Sequence, residues 1–449
     1  MINIGIDTAI HKLGEWIWGW PLVIFVIITG LSFTAAFYGI QYRYFIAMWR
    51  YLWQSEKSKV IAGESYITTF QAFVNTLSAS LGNGSTAGMA TAIYSGGPGA
   101  AFWVFVLGFL NMAIRFAEVY ASTLFTEKTE SGVVRGGPMV FLRYVPGRSF
   151  LPWLYAFFGL LTSFIAGSAM QCNSVRLSVE RMTSAPALVI AICLVALIGY
   201  ILMGGALRII RISDKIIPLK VLLFFSMTLV VLIYHYDKLI PALALIWQSA
   251  FTPQAVHGAL AGHTVQNAIR FGMSRLLSAT EAGLGTAGVL FGATGTHHPV
   301  HNGVMSMASI VISNHLVCFT LLLIFVATGV WNSGLTSTAM TCAAYETVFG
   351  PLGCWIVTFL SIAFGIGVLV AYAYIGRECW LSLTKGRYIW LYNMIYTGMA
   401  FVGALSRVDV VWNAVDITNA GMMIINLYGL WVLLPQLATS LKLFERRVS

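Results

Sequence analysis

Eleven apolar stretches, each about as long as a bilayer is thick, dominate this chain and decide what it can fold into. They run over roughly 16–41, 68–94, 98–126, 150–173, 186–207, 216–236, 265–293, 303–331, 353–376, 389–406 and 412–436. A helical span needs about 20 apolar residues to cross about 30 Å of hydrocarbon. The alternating segments of about ten residues that build an outer-membrane barrel are absent. Helices are therefore expected, because they satisfy every backbone polar group internally. The 449 residues are 58% hydrophobic and only 9% charged, against about 25% charged in a soluble domain. That balance excludes a soluble enzyme, a disordered chain and a disulfide-stapled secreted module. The first stretch starts at Trp16, after Asp7, Lys12 and Glu15. It is too long for a signal-peptide core and reads as a retained helix.

Positive charge orients the spans. With the N-terminus outside, the inner segments collect seventeen basic residues: Arg43, Arg50, Lys57, Lys59, Lys128, Arg135, Arg143, Arg148, Arg208, Arg211, Lys215, Arg377, Lys385, Arg387, Lys442, Arg446 and Arg447. The outer segments collect five: Lys12, Arg176, Arg181, Lys238 and Arg407. The remaining four of 26 lie within spans. An integral plasma (inner) membrane protein is expected, with its N-terminus outside and its C-terminus cytoplasmic. The net charge of +10 then reflects topology, and no nucleic-acid partner is called for. The six cysteines form no CxxC or Cys/His metal spacing and read as packing thiols. Cys342 and Cys354 fall near one outer loop, where a disulfide is the lesser expectation.

Two spans are interrupted. The second contains Ser78-Ala79-Ser80-Leu81-Gly82-Asn83-Gly84-Ser85-Thr86-Ala87-Gly88, and the seventh Ser278-Ala279-Thr280-Glu281-Ala282-Gly283-Leu284-Gly285-Thr286-Ala287-Gly288. Glycine costs about 1 kcal/mol in a helix interior, and unwound backbone survives at membrane depth only where it is buried in protein or lines a cavity. Setting the first span aside leaves two sets of five, each opening on an interrupted helix and oppositely oriented. That is the pattern of an inverted repeat with a transporter's site at its breaks. Close packing through small residues is the rival reading, but it leaves Asn83 and Glu281 unexplained. The start of a half-helix offers N–H groups and partial positive charge to a carboxylate. The end of one offers carbonyls to Na⁺ or an ammonium group. A zwitterion satisfies both, which points to an amino acid.

Several motifs resemble the alanine or glycine:cation symporter (sodium/alanine symporter) family. They are Asn83 to Ile93 with Gly96-Gly97-Pro98-Gly99-Ala100-Ala101-Phe102-Trp103, Phe116-Ala117-Glu118, Gly136-Gly137-Pro138-Met139, Gln171-Cys172-Asn173-Ser174, Glu281-Ala282-Gly283, His298-Pro299, and Gly376 with its flanking tyrosines. The resemblance implies a LeuT-type fold of two inverted five-helix repeats and uptake of small neutral amino acids with a cation. It implies that Asn83 and Gly84 receive the substrate carboxylate, that Gln171 faces the site, that Ala282 and Gly283 stand at the second break, and that Tyr372 stands where a tryptophan usually covers the substrate. Ser85 and Thr280 complete the candidate substrate positions. Ser80, Leu81 and Gly82, with Glu281 and His315, are the candidate cation-binding or coupling positions.

The chain departs from that family's pattern at Gly82-Asn83-Gly84-Ser85 (usually Gly-Thr-Gly-Asn) and at Ala279-Thr280-Glu281-Ala282-Gly283 (usually Ser-Asn-Glu-Ala-Gly). Ser313-Asn314 replaces an Asp-Thr pair, and Gly367-Val368 replaces hydroxyl residues near the cation site. A hard cation wants oxygen ligands, so proton coupling or exchange stays open beside sodium. Glu281 is expected to cap the N–H groups of the following half-helix, or to titrate during transport. Arg115 and Glu118 lie three apart and are expected to form a structural or gating ion pair in the inner half of their span. Arg275 reads as a snorkelling side chain and Asp416 as interfacial. His315 reads as a packing residue, or as a proton carrier, since imidazole titrates near neutrality. No metal site, cofactor or catalytic cluster is expected. A transporter-like receptor is a distant alternative. The expected organisation is an N-terminal segment with the first helix over 1–67, a first repeat over 68–236, an external linker over 237–264, a second repeat over 265–436 and a cytoplasmic tail over 437–449.

Overall fold

The structure, a computed structural model, describes residues 18–54, 67–128, 134–183, 185–203, 205–251, 265–294 and 298–448. Asp7, Lys12, Glu15, Trp16, Lys57, Lys59 and positions 252–264 of the expected linker lie outside the described residues. The described residues are helical almost throughout. Helix α1 is Trp20–Ala36 and α2 is Phe45–Gln54. The second interrupted span is two helices, α3 (Thr69–Ser80) and α4 (Asn83–Gly96). A reciprocal capping box starts α3: Gln71 N donates to Thr68 Oγ1 and Thr68 N to Gln71 Oε1. Helix α5 (Gly99–Leu124) leads to a two-stranded antiparallel hairpin, β1 (Glu127–Lys128) with β2 (Val134–Arg135).

Helix α6 (Leu151–Met182) and helix α7 (Ala187–Met203) follow. Helix α8 (Gly205–Tyr234) then bends by 94° into α9 (Tyr236–Phe251). The seventh span is α10 (Val265–Thr280) and the short α11 (Thr286–Phe291). The chain closes with α12 (Pro299–Ala327), α13 (Ser337–Phe349), α14 (Leu352–Thr384), α15 (Ile389–Leu405) and α16 (Val408–Val448).

Among the described residues, five helices are by themselves long and apolar enough to cross a membrane: α5, α6, α12, α14 and Val410–Arg446 of α16. The bent α8/α9 pair makes a sixth candidate, and α1, α7 and α15 are shorter apolar helices. Large apolar side chains such as Ile24, Leu31, Ile192, Leu222 and Phe359 face outward, as a lipid-facing surface requires.

One expectation, on Cys342 and Cys354, is corrected here, and two features of the helices are new. The described part of the linker is a helix, because Ala242, Ile246 and Ala250 recur every four residues and bury one face of α9 against α5 and α12. Cys342 and Cys354 are not separate packing thiols but are joined in a disulfide between α13 and α14. The helical period also slips inside two spans: Ser163–Ala169 of α6 and Val311–Cys318 of α12 are π-helical. Such turns occur often at functional sites.

The two broken helices pair half by half. Helix α4 packs along α10, and α3 packs against α11. Helix α14 touches α3, α4 and α11, so a single continuous helix runs past both breaks.

Candidate functional site

At the first break, helix α3 gives way at Leu81 (φ −94°, ψ 80°) and Gly82, which is extended (φ −124°, ψ −172°). Close packing demands glycine there, since a Cβ at 82 would stand 2.5 Å from Val368 Cγ2. The start of α4 is dressed with uncharged polar groups. Gln171 Oε1 accepts from Asn83 N (3.4 Å) and Asn83 Nδ2 (3.2 Å), and Ser361 Oγ donates to Asn83 Oδ1 (2.8 Å). Gln171 Nε2 is fixed in turn by Ala166 O (3.0 Å) in the π-helical stretch of α6. The Gln171 carboxamide oxygen thus sits at the N–H end of a half-helix, where an anionic oxygen is favoured. Ser85 Oγ turns back to Ser80 O (2.9 Å), and Gly84 lies against the second break, with a Cβ there 3.7 Å from Ser278 O.

The carbonyl end of α3 holds a residue to which sequence alone gives no role. Lys220 of α8 is fully buried, and its Nζ donates to Leu81 O (2.8 Å), Ser78 O (3.2 Å) and Ser78 Oγ (3.4 Å). A signal was nonetheless present: Lys220, Phe224, Thr228 and Val231 form the buried stripe of α8, while Leu219, Leu222 and Leu229 face outward.

At the second break, the backbone runs through positive φ at Glu281 (57°), Gly283 (86°) and Gly285 (88°). Two charged side chains of α5 brace it. Arg115 Nη2 donates to Thr280 O (2.5 Å), the carbonyl end of α10, and Arg115 Nη1 stands 3.3 Å from Glu118 Oε1. Glu118 accepts from Gly283 N (3.0 Å) and Gly288 N (3.3 Å). The cap of the second half-helix is therefore Glu118, not Glu281. Glu281 instead accepts from Tyr372 Oη (2.7 Å) on α14 and Thr286 Oγ1 (2.8 Å). Its left-handed φ swings the carboxylate across the break toward α14. Tyr155 Oη donates to Leu284 O (2.9 Å) and Asn426 Nδ2 to Gly283 O (2.9 Å), which ties down two more carbonyls of the unwound loop.

The candidates thus fall into two clusters. Asn83, Gly84, Ser85, Gly82 and Gln171 gather at the first break. Thr280, Glu281, Ala282, Gly283, Tyr372, Arg115 and Glu118 gather at the second. Helix α14 joins the two through Ser361 at one end and Tyr372 at the other. The Arg115–Glu118 pair exists as expected, but its place is against the unwound loop of α10/α11. His315 stands apart, with ring centroids 4.5 Å from Phe109 and 5.0 Å from Phe105. Its neighbour Asn314 donates to Val104 O (3.0 Å). Arg275 and Asp416 meet each other at 3.7 Å. Beyond α11, a cavity of about 480 Å³ is lined by Val289, Ala293, Glu127, Arg143, Arg135 and Glu378, the last two 3.3 Å apart.

Comparison with known proteins shows what the chain as a whole is similar to. The family model described as "Sodium:alanine symporter family" matches residues 3–449. An uncharacterized transporter of Haemophilus influenzae is 32% identical over 95% of this chain and 93% of its own length. The sodium/alanine symporter AgcS of Methanococcus maripaludis is 29% identical over 98% of this chain and 97% of its own. The probable sodium/glutamine symporter GlnT of Bacillus subtilis is 27% identical over 98% and 91%. In fold, the chain is similar to the crystal structure of an Eremococcus coleocola manganese transporter mutant, with a TM-score of 0.51 at 14% identity, covering 83% of this chain and 79% of that one.

Proposed function

Since this chain belongs to the sodium:alanine symporter family, a family of integral membrane transporters, we propose that it carries a small neutral amino acid of the alanine or glycine type by alternating access. The relatives named for alanine and glutamine transport support an amino acid as the cargo. The observation that carries the reading is the meeting of two helix breaks. Gly84 lies against Ser278, and the N–H end of α4 bears only the uncharged Asn83, Gln171 and Ser361. A carboxylate is received at that end, beside the Gln171 carboxamide that orders Asn83 there. With Glu281 already engaged by Tyr372 and Thr286, no free fixed charge among the described residues at the breaks awaits an acidic or strongly basic side chain. Residues 68–236 and 265–436 then act as two inverted five-helix repeats that rock about the breaks, with the cavity at Val289 as the inner vestibule. Nothing covalent happens. The test is uptake of radiolabelled amino acids by proteoliposomes. Alanine or glycine is expected to be taken up, while aspartate and lysine are excluded. Exclusion of every neutral amino acid would sink the reading.

The same reading sets the N-terminus outside and the C-terminus inside. The basic loops support this, as does the disulfide at Cys342 and Cys354, on the side that the orientation makes oxidising. In intact cells, a membrane-impermeant maleimide is expected to label Arg407→Cys and to spare Arg387→Cys until the membrane is opened. The reverse pattern would invert the topology.

A further inference from the structure

The geometry points to Lys220 as a built-in cation for the first break: its ammonium holds the carbonyl end of α3 in place of a free ion, so that transport runs without sodium. The inference rests on the amino-acid carrier proposed above and concerns what balances its first break. The end of a helix leaves carbonyls without partners and a partial negative charge. In a membrane interior that charge must be met by a cation or by donors. Lys220 Nζ meets it with three donors for three acceptors, Leu81 O, Ser78 O and Ser78 Oγ. The ammonium also lies 5.5 Å from the centre of the Phe364 ring, on α14.

Helix α14 is shaped to admit it. A Cβ at Gly367 would collide with Lys220 Nζ and stand 2.8 Å from Ser78 Oγ. A hydroxyl side chain at 367, which could ligate a free cation, and the lysine head therefore compete for the same space. The departure at Gly367 thus fits the lysine: α14 offers no side-chain ligand there, and α8 fills the space with a tethered charge. A second positive ion beside the ammonium would meet direct repulsion, little screened at this depth.

The test compares initial uptake of alanine or glycine by wild-type proteoliposomes in sodium chloride and in choline chloride of equal ionic strength. Rates within twofold of each other are expected. A saturable stimulation by sodium beyond twofold would overturn the proposal. Lys220→Met keeps the apolar stem and removes the charge. It is expected to lower uptake at least tenfold in protein that remains monodisperse, and wild-type uptake by this variant would contradict the assignment. A variant that fails to fold leaves the decision to the wild-type comparison. If no amino acid is transported, the carrier reading fails instead. Lys220 is then judged on purified wild-type protein by thermal unfolding in the two salts: coincident midpoints support the tethered cation, and a saturable, sodium-specific rise refutes it.

Discussion

Alanine in place of Glu118 is expected to be the most damaging single change near either break. It leaves Arg115 buried without its counter-ion and Gly283 N and Gly288 N without their acceptor. Removing one partner of a buried ion pair costs about 3–5 kcal/mol, because the remaining charge stays uncompensated. Each orphaned N–H adds to the strain, since a buried donor without a partner costs about 1–3 kcal/mol. The second break depends on such side-chain contacts for its shape. Its residues Glu281, Gly283 and Gly285 sit at positive φ, and α11 is only six residues long. The purified variant is expected to lose most of its thermal stability in detergent and to be recovered poorly from membranes. Glu118→Gln, which keeps an acceptor oxygen and the shape, is expected to fall between the two. An unchanged midpoint for Glu118→Ala would show that the brace contributes nothing.

The second large effect concerns Glu281, and it falls on transport rather than folding. Its carboxylate is the link between the second break and α14, through Tyr372 Oη at 2.7 Å. The same helix reaches the first break through Ser361 and Asn83. Hydrogen bonds to a charged group contribute about 1.5–3 kcal/mol each. Glu281→Ala removes two of them and unties the helix that runs past both breaks. Uptake is expected to fall at least tenfold in a protein that still inserts and stays monodisperse. Tyr372→Phe, which removes only one of the two bonds, is expected to lose less. Uptake equal to wild type in Glu281→Ala would mean that this link plays no part in the cycle.

Much of the arrangement is legible in the sequence, and most of what is not depends on contacts between distant helices. The breaks are visible because Gly82 and Gly84, or Gly283 and Gly285, are unfavourable in any continuous apolar helix. The Arg115–Glu118 pair is visible because residues three apart share a helix face. Its target is not visible: Thr280 lies 165 residues away from Arg115, and no local pattern states that distance. For the same reason Glu281 is recognised as important while its partner is misjudged, since the capping role belongs to a carboxylate on another helix. Lys220 is hidden in a hydropathy profile, which registers a lone lysine in an apolar run without saying which way it faces. Its period with Phe224, Thr228 and Val231 does say so. The π-helical stretches at Ser163–Ala169 and Val311–Cys318 leave an apolar run looking unchanged. The link of Cys342 to Cys354 depends on how two helices meet, which spacing alone does not determine.

The central claim is that a zwitterion sits between the two breaks, with its carboxylate at the start of α4. Equilibrium binding of radiolabelled alanine to the purified chain, beside a Gln171→Ala variant, addresses it most directly. Gln171 orders Asn83 at that helix start through both its backbone and its side-chain amide. Saturable binding that glycine displaces and glutamate and lysine do not, weakened at least tenfold by Gln171→Ala in folded protein, is the predicted result. Absence of binding for every neutral amino acid, or equal affinity in the variant, would contradict it.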